Sequence, residues 1–262
     1  MTKIDQATSG MMTITVNVHG ASVELRTVTE EQLVGRYAYG NYMPNGVDRL
    51  LRLFQSLKIS ATFFVPGREV ERHPGLIKDI RDAGHEIAAN GYALEDHSAL
   101  GDNELETLKK AHGCLGDLLG TAPVGWRAPD GLMSAKTLGH LATLGYLYDS
   151  SFQDDDFPYL LDKDGGVGMV EIPQNPTLID QNLFSIKQPD VRVLKNWKEE
   201  FDGLRSVGAY VCQTLHPRQD YGVGRAPRMI KLEEFLRYTQ YSPRPVTFKT
   251  CAEVAKAALA AA

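Results

Sequence analysis

The chain has 262 residues, 43% of them hydrophobic, and a formal charge of −5 with both signs well mixed. That length supports one α/β domain, residues 1–262, with a large buried core. The charge balance speaks against a nucleic-acid surface, and no apolar run reaches the ~18 residues of a membrane span, so neither nucleic acid nor membrane is an expected partner.

Residues 13–18 are rich in β-branched side chains and form the first expected strand, which ends at Asn17 and His19. Residues 21–46 make a long polar connection, of the kind that covers a site. Val47, Leu50, Leu51, Phe54 and Leu57 then fall on one face of a helix. Residues 61–65 form a short apolar strand, stopped by Pro66 and Gly67. Pro74 suits a first helical turn, Leu76, Ile77, Ile80 and Ala83 follow at helical spacing, and Gly84 suits the position after a helix end. Residues 85–89 are extended again. This strand–helix–strand unit implies a parallel sheet, whose ligands bind beyond the carboxyl ends of its strands.

The same rhythm continues. Asp102 caps a helix carrying Leu105, Leu108, Leu115 and Leu118. Short strands are expected at 124–127, 146–148, 169–172 and 209–215, with helices at 134–145, 197–207 and 232–238 between or after them. Residues 246–248 read as a last short strand. The Ala-rich terminus is a helix opened by the capping box Thr250-x-x-Glu253. Seven or eight strands with intervening helices predict a distorted (β/α)7-type barrel. Cys114, Cys212 and Cys251 are few and far apart, and the amino terminus lacks an apolar leader core, so a reducing cytoplasm is the expected location. His73 and His85 lie away from the strand ends and read as structural.

Polar residues collect at the expected strand ends: Asn17 and His19, Asn90 and Tyr92, Arg127 and Asp130, Asp149, Glu171 and His216. Such convergence marks a candidate site. The stretches RLLRLFQSLKISATFFVPG, ERHPGLIKDIRDAGHEIAANGY, PVGWRAPDG, LGYLYDSS, VEIP and LHPRQDYGVGRAPRM resemble the polysaccharide deacetylase (NodB-like) superfamily, and its allantoinase-like branch in particular. The resemblance implies hydrolysis of a non-peptide C–N bond, carbohydrate or ureide chemistry, and a homo-oligomer. It also implies an aspartate base and a metal-binding aspartate at positions 17 and 19, and two metal-binding histidines at 90 and 94. This chain has Asn17, His19, Asn90 and Leu94 there. Leucine cannot ligate, and a neutral amide is a poor zinc ligand. No metal ligand and no cofactor are therefore expected.

In the family, the arginine matching Arg127 orients catalytic carboxylates, and the histidine matching His216 protonates the leaving group. With Asn17 in place of the carboxylate, Arg127 is expected to face an anionic substrate. The expected function is a metal-independent hydrolase of an amide, cyclic imide or ureide in a small molecule. His19, His216 and Arg127 are its catalytic candidates, and Asn17, Asn90, Tyr92, Asp130 and Asp149 its substrate-binding ones. A lyase or decarboxylase in the same pocket, and a non-catalytic binding protein, are the alternatives.

Overall fold

The structure is a computed structural model that describes residues 2–161 and 168–262. Its frame is one curled sheet. The strands are β1 (Met11–Asn17), β2 (Thr62–Val65), β3 (Glu86–Ala89), β4 (Gly125–Trp126), β5 (Tyr148–Asp149), β6 (Tyr159–Leu161), β7 (Met169–Glu171), β8 (Val211–Leu215) and β9 (Thr247–Phe248). Their order is β6-β7-β5-β4-β3-β2-β1-β8, with β9 beside the start of β1. Every pairing is parallel except β6–β7. The two ends of this order approach each other through irregular segments. Ile179 bridges to Thr214, and Tyr210 N–H donates to Asp156 O. The result is the expected distorted barrel.

Among the described residues ten helices accompany these strands: α1 (Lys3–Thr8), α2 (Met43–Leu57), α3 (Gly67–Arg72), α4 (Pro74–Asp82), α5 (Glu104–Leu119), α6 (Thr137–Thr143), α7 (Asp180–Phe184), α8 (Asp190–Ser206), α9 (Ala226–Gln240) and α10 (Cys251–Ala261). Strand alternation divides the core in two. Met12, Ile14 and Val16 of β1 join Phe63, Val65, Trp126, Phe201 and Phe235 in the layer under the helices. Phe64, Ala88, Tyr148, Val170, Tyr210 and Cys212 face the barrel interior instead. There they meet Cys251, Val254, Ala255 and Ala258 of α10. Small side chains let this helix enter the barrel floor. Glu86 anchors it, accepting from Ala252 N–H at 3.0 Å, Thr62 Oγ1 at 2.8 Å and Tyr148 Oη at 2.8 Å.

Three expected elements differ. The connection at 21–46 is a series of 3-10 turns, with α2 beginning at Met43. Helix α8 starts at Asp190, seven residues before the expected 197, because Val193 and Leu194 extend its buried stripe. Strand β6 falls between the strands expected at 146–148 and 169–172, where only its pairing with β7 makes it extended. His85 is structural: it is wedged between Phe54 and Phe63, with ring centroids 5.6 and 5.2 Å away.

Candidate active site

The parallel register brings the ends of β1, β3, β4 and β8 to one face. Asn17 ends β1, while Asn90, Arg127 and His216 each follow the last residue of a strand. With His19 and Asp130 they line one cavity of about 230 Å³. Gln153, Gln174, Gln181, Asn182, Ile179 and Ser151 complete its wall.

His216 is the best-held group. Its Nδ1 lies 2.6 Å from Asp180 Oδ1. Asp180 Oδ2 accepts from the backbone N–H of His216 at 2.8 Å and of Val223 at 3.0 Å. Both residues are buried. Asp180 reaches His216 because the Ile179–Thr214 bridge lays the start of α7 along β8. The turn after His216 is tight: a Cβ on Gly222 would stand 2.0 Å from His216 O.

Arg127 is buried and almost fully committed. Nε donates to Ser150 O at 2.7 Å and Nη2 to Ser150 Oγ at 2.7 Å. Nη1 donates to Thr15 Oγ1 and to Asn17 Oδ1, both at 3.0 Å. The guanidinium also stacks 4.0 Å above the Phe64 ring. Arg127 therefore does not present an open fork to a ligand, contrary to expectation, because five groups of the barrel interior already converge on it. Asn17, for its part, donates from Nδ2 to His216 Nε2 at 3.0 Å, which occupies both ends of its amide.

His19 sits beside His216, with ring centroids 5.0 Å apart, and its Nδ1 lies 3.3 Å from Tyr221 Oη. Burial, then His216, Arg218 and Arg127, pushes its pKa well below the ordinary histidine value, although hydrogen bonding by Asn90 opposes the shift. His19 is thus neutral at pH 7. Arg218 holds the turn above it, donating to Gly20 O and to both carboxylate oxygens of Glu24. Part of the long connection does cover the site in this way. Asp130 stands at the rim in a left-handed conformation (φ 53°), and its carboxylate is tied to Arg26 at 2.6 Å.

Two expected ligand contacts lie elsewhere. Gly91, at φ 67°, turns the chain so that Tyr92 packs on Gly67, bonds Glu71 through its hydroxyl at 2.9 Å and carries Lys110 3.5 Å above its ring. Asp149 is fully buried behind the cavity wall, where it accepts from Ser151 Oγ at 2.6 Å. Its partner there is Glu171. Burial raises the pKa of both carboxyls, that of Glu171 well above the usual range because the Asp149 charge adds to it.

The family's metal does not fit these residues. Asn90 spends Nδ2 on Arg127 O at 2.9 Å, Leu94 is a buried hydrocarbon, and the fixed charges that act on His19 are the cations Arg218 and Arg127. Among the described residues no group of three His, Cys, Asp or Glu is placed to hold an ion. Leu94 stands at φ 59°, a conformation in which histidine is more at home than leucine.

Sequence reasoning missed Asp180, Tyr221 and the glutamines of the wall. Asp180 is 36 residues from His216 with no motif around it, so only the fold joins them. Tyr221 lay within the LHPRQDYGVG stretch and was open to notice.

Comparison with known proteins agrees with the fold. Residues 36–148 match the polysaccharide deacetylase family model. A peptidoglycan deacetylase of Helicobacter pylori is 40% identical over 116 residues, which is 44% of this chain and 40% of that protein. The chain thus spans about two fifths of that relative's length. A structure assigned to the polysaccharide deacetylases, from Mycobacterium smegmatis, superposes with a TM-score of 0.87 at 29% identity, covering 97% of this chain and 91% of that one. PuuE allantoinase shares the fold, with a TM-score of 0.81 at 23% identity over 95% and 90% of the two chains. Among the described residues no helix is long and apolar enough to cross a membrane. In sequence over residues 36–148 and in fold over nearly its whole length, the chain is similar to the polysaccharide deacetylases of the NodB-like superfamily.

Proposed function

We propose that this chain is a hydrolase of the C–N bond of a small amide, cyclic imide or ureide, and that it works without a tightly held metal. The observation that carries this is the buried Asp180–His216 pair, with His216 Nε2 turned to a cavity walled by carboxamides. Gln153 and Gln181 offer both donors and acceptors, and Asn90 and Asn182 offer amide oxygens whose NH2 ends are already bonded, a pattern that a ureide or imide presents in reverse. A volume of about 230 Å³ suits a small substrate better than a polymer. The charges of Arg127 and Arg218, felt at His19, favour an anionic substrate and the oxyanion of a tetrahedral intermediate.

His216 Nε2 takes a proton from water as the water oxygen attacks the carbonyl carbon. The oxyanion collapses, the C–N bond breaks, and the same proton passes from Nε2 to the leaving nitrogen. Amide and water become acid and amine. Asp180 holds the ring through Nδ1–H and balances the transient imidazolium. General acid–base work of this kind supplies ~10²–10⁴-fold. Water must first replace Asn17 at Nε2. Exchanging one neutral hydrogen bond for another costs ~1 kcal/mol, less than tenfold in rate. The cytoplasmic setting and homo-oligomer expected from the sequence belong to this proposal.

The test is metal analysis beside turnover on a panel of ureides, cyclic imides, simple amides and N-acetylated sugars. Turnover by metal-stripped protein, lost in His216→Gln, is expected. A stoichiometric zinc ion whose removal abolishes activity overturns the proposal. Oxygen from labelled water in the product separates hydrolysis from a lyase reaction. A second reading, a non-catalytic binding protein, draws on the Asn17 amide that covers Nε2. It requires that His216→Ala and Arg127→Ala alter ligand binding while no member of the panel is turned over.

A further inference from the structure

The direction of each hydrogen bond in the pocket can be assigned from its ends. Arg127 can only donate, so the Asn17 atom 3.0 Å from Nη1 must be the amide oxygen. The other end of Asn17 is then NH2, and it can only donate to His216 Nε2 at 3.0 Å. A nitrogen that accepts carries no hydrogen. Asp180 accepts at the opposite edge of the ring, so the hydrogen of His216 is on Nδ1. Reversing the Asn17 amide would set its NH2 against the guanidinium and lose both bonds.

The same reasoning fixes the neighbour. Asn90 spends Nδ2 on Arg127 O at 2.9 Å, which orients its amide. Its Oδ1 is buried and bonded to no other donor, so it is the amide end left for His19, on which the Asn90 side chain acts. His19 lines the cavity with it, and the His19 Nδ1 edge is taken by Tyr221 Oη. That leaves the Nε2 edge for the Asn90 oxygen, which accepts and cannot donate, and the Asn90 side chain favours the protonated ring. That selects a hydrogen on Nε2 and leaves Nδ1 to accept the Tyr221 hydroxyl.

We propose that Asn17 and Asn90, through Arg127, hold His216 and His19 as opposite neutral tautomers, making bare His216 Nε2 the proton acceptor of the pocket and His19 a donor at Nε2. The two asparagines are positioning residues. They do for the histidines what a carboxylate and a metal ion would otherwise decide. A carboxylate at position 17 would accept at Nε2 where the amide donates, and would draw a hydrogen onto that nitrogen. Asn17 thus sets the direction of proton flow: His216 receives first and gives second. This consequence rests on the hydrolase reading, whereas the tautomers themselves do not.

The experiment is nitrogen NMR on protein labelled at its histidine side chains, recorded at pH 7.5. His19→Gln and His216→Gln spectra assign the two rings. The wild type is expected to show His216 with a pyridine-type Nε2 and a pyrrole-type Nδ1, and His19 with the reverse pattern. In Asn17→Asp the pyridine-type Nε2 signal of His216 is expected to disappear. A wild-type His216 that carries its hydrogen on Nε2, or on both nitrogens, overturns the proposal, as does His19 in the same tautomer as His216. Because the wild-type spectrum decides, a variant that fails to fold leaves the outcome intact. The spectrum needs no substrate, so it can fail while turnover is found, or hold while none is.

Discussion

His85 makes the opening βαβ unit acid-sensitive. It is 8% exposed, lies between Phe54 and Phe63, and accepts the backbone N–H of Ala61 on Nδ1 at 3.2 Å. Burial lowers its pKa from 6.5 to about 4. Between those values the unfolded chain binds a proton that the folded chain refuses, so stability is whole above pH ~6.5 and falls as the pH drops towards ~4. At ~1.4 kcal/mol per pH unit, a window of ~2.5 units amounts to ~3 kcal/mol. For a domain of this size each kcal/mol moves Tm by ~2–4 °C, so the contribution is roughly 6–12 °C. Other buried histidines, His19 and His97 among them, shift the same way and steepen the profile of the wild type. The measurement is therefore a difference. Urea or thermal unfolding is followed from pH 7.5 to pH 4 for the wild type and for His85→Asn, whose amide oxygen can take the Ala61 N–H. The variant should lose ~3 kcal/mol less across that range. Parallel profiles for the two proteins would refute the argument.

Two further perturbations probe the site's frame. Arg127→Met removes the shared donor of Asn17 Oδ1, Thr15 Oγ1 and Ser150 and leaves the Asn17 oxygen unpaired, at a cost of ~2–3 kcal/mol that calorimetry reads as a fall of roughly 4–12 °C in Tm; a change under ~1 kcal/mol contradicts the assigned network. Gly222→Ala places a methyl against His216 O, so the turn must shift and loosen the Asp180–Val223 bond. A loss of ~1–3 kcal/mol in urea unfolding, together with a displaced His216 resonance, is expected.

The residues that resemble the family were legible for a physical reason: each belongs to a short local pattern. Pro74, the Leu76–Ile80 spacing and Gly84 specify a helix without help from the rest of the chain, and two flanking β-rich runs then require a parallel crossover. That topology put Asn90, Arg127 and His216 at one end of the barrel before any contact was known. The resemblance implied in addition, through Leu94, that the family's metal set is incomplete here. β6 was hidden because its extended form comes from pairing with β7 and not from its own residues.

Sequence alone therefore determined the scaffold and the face that bears the site, since strand periodicity and turn residues are local properties. It could not decide what the polar groups do. Whether Arg127 faces a ligand or a neighbour depends on Ser150 and Thr15, which reach it only through the closed sheet. Asp180 meets His216 only because one irregular segment is laid along β8. Hydrogen-bond direction is a property of a network, and the network exists only after the chain has folded.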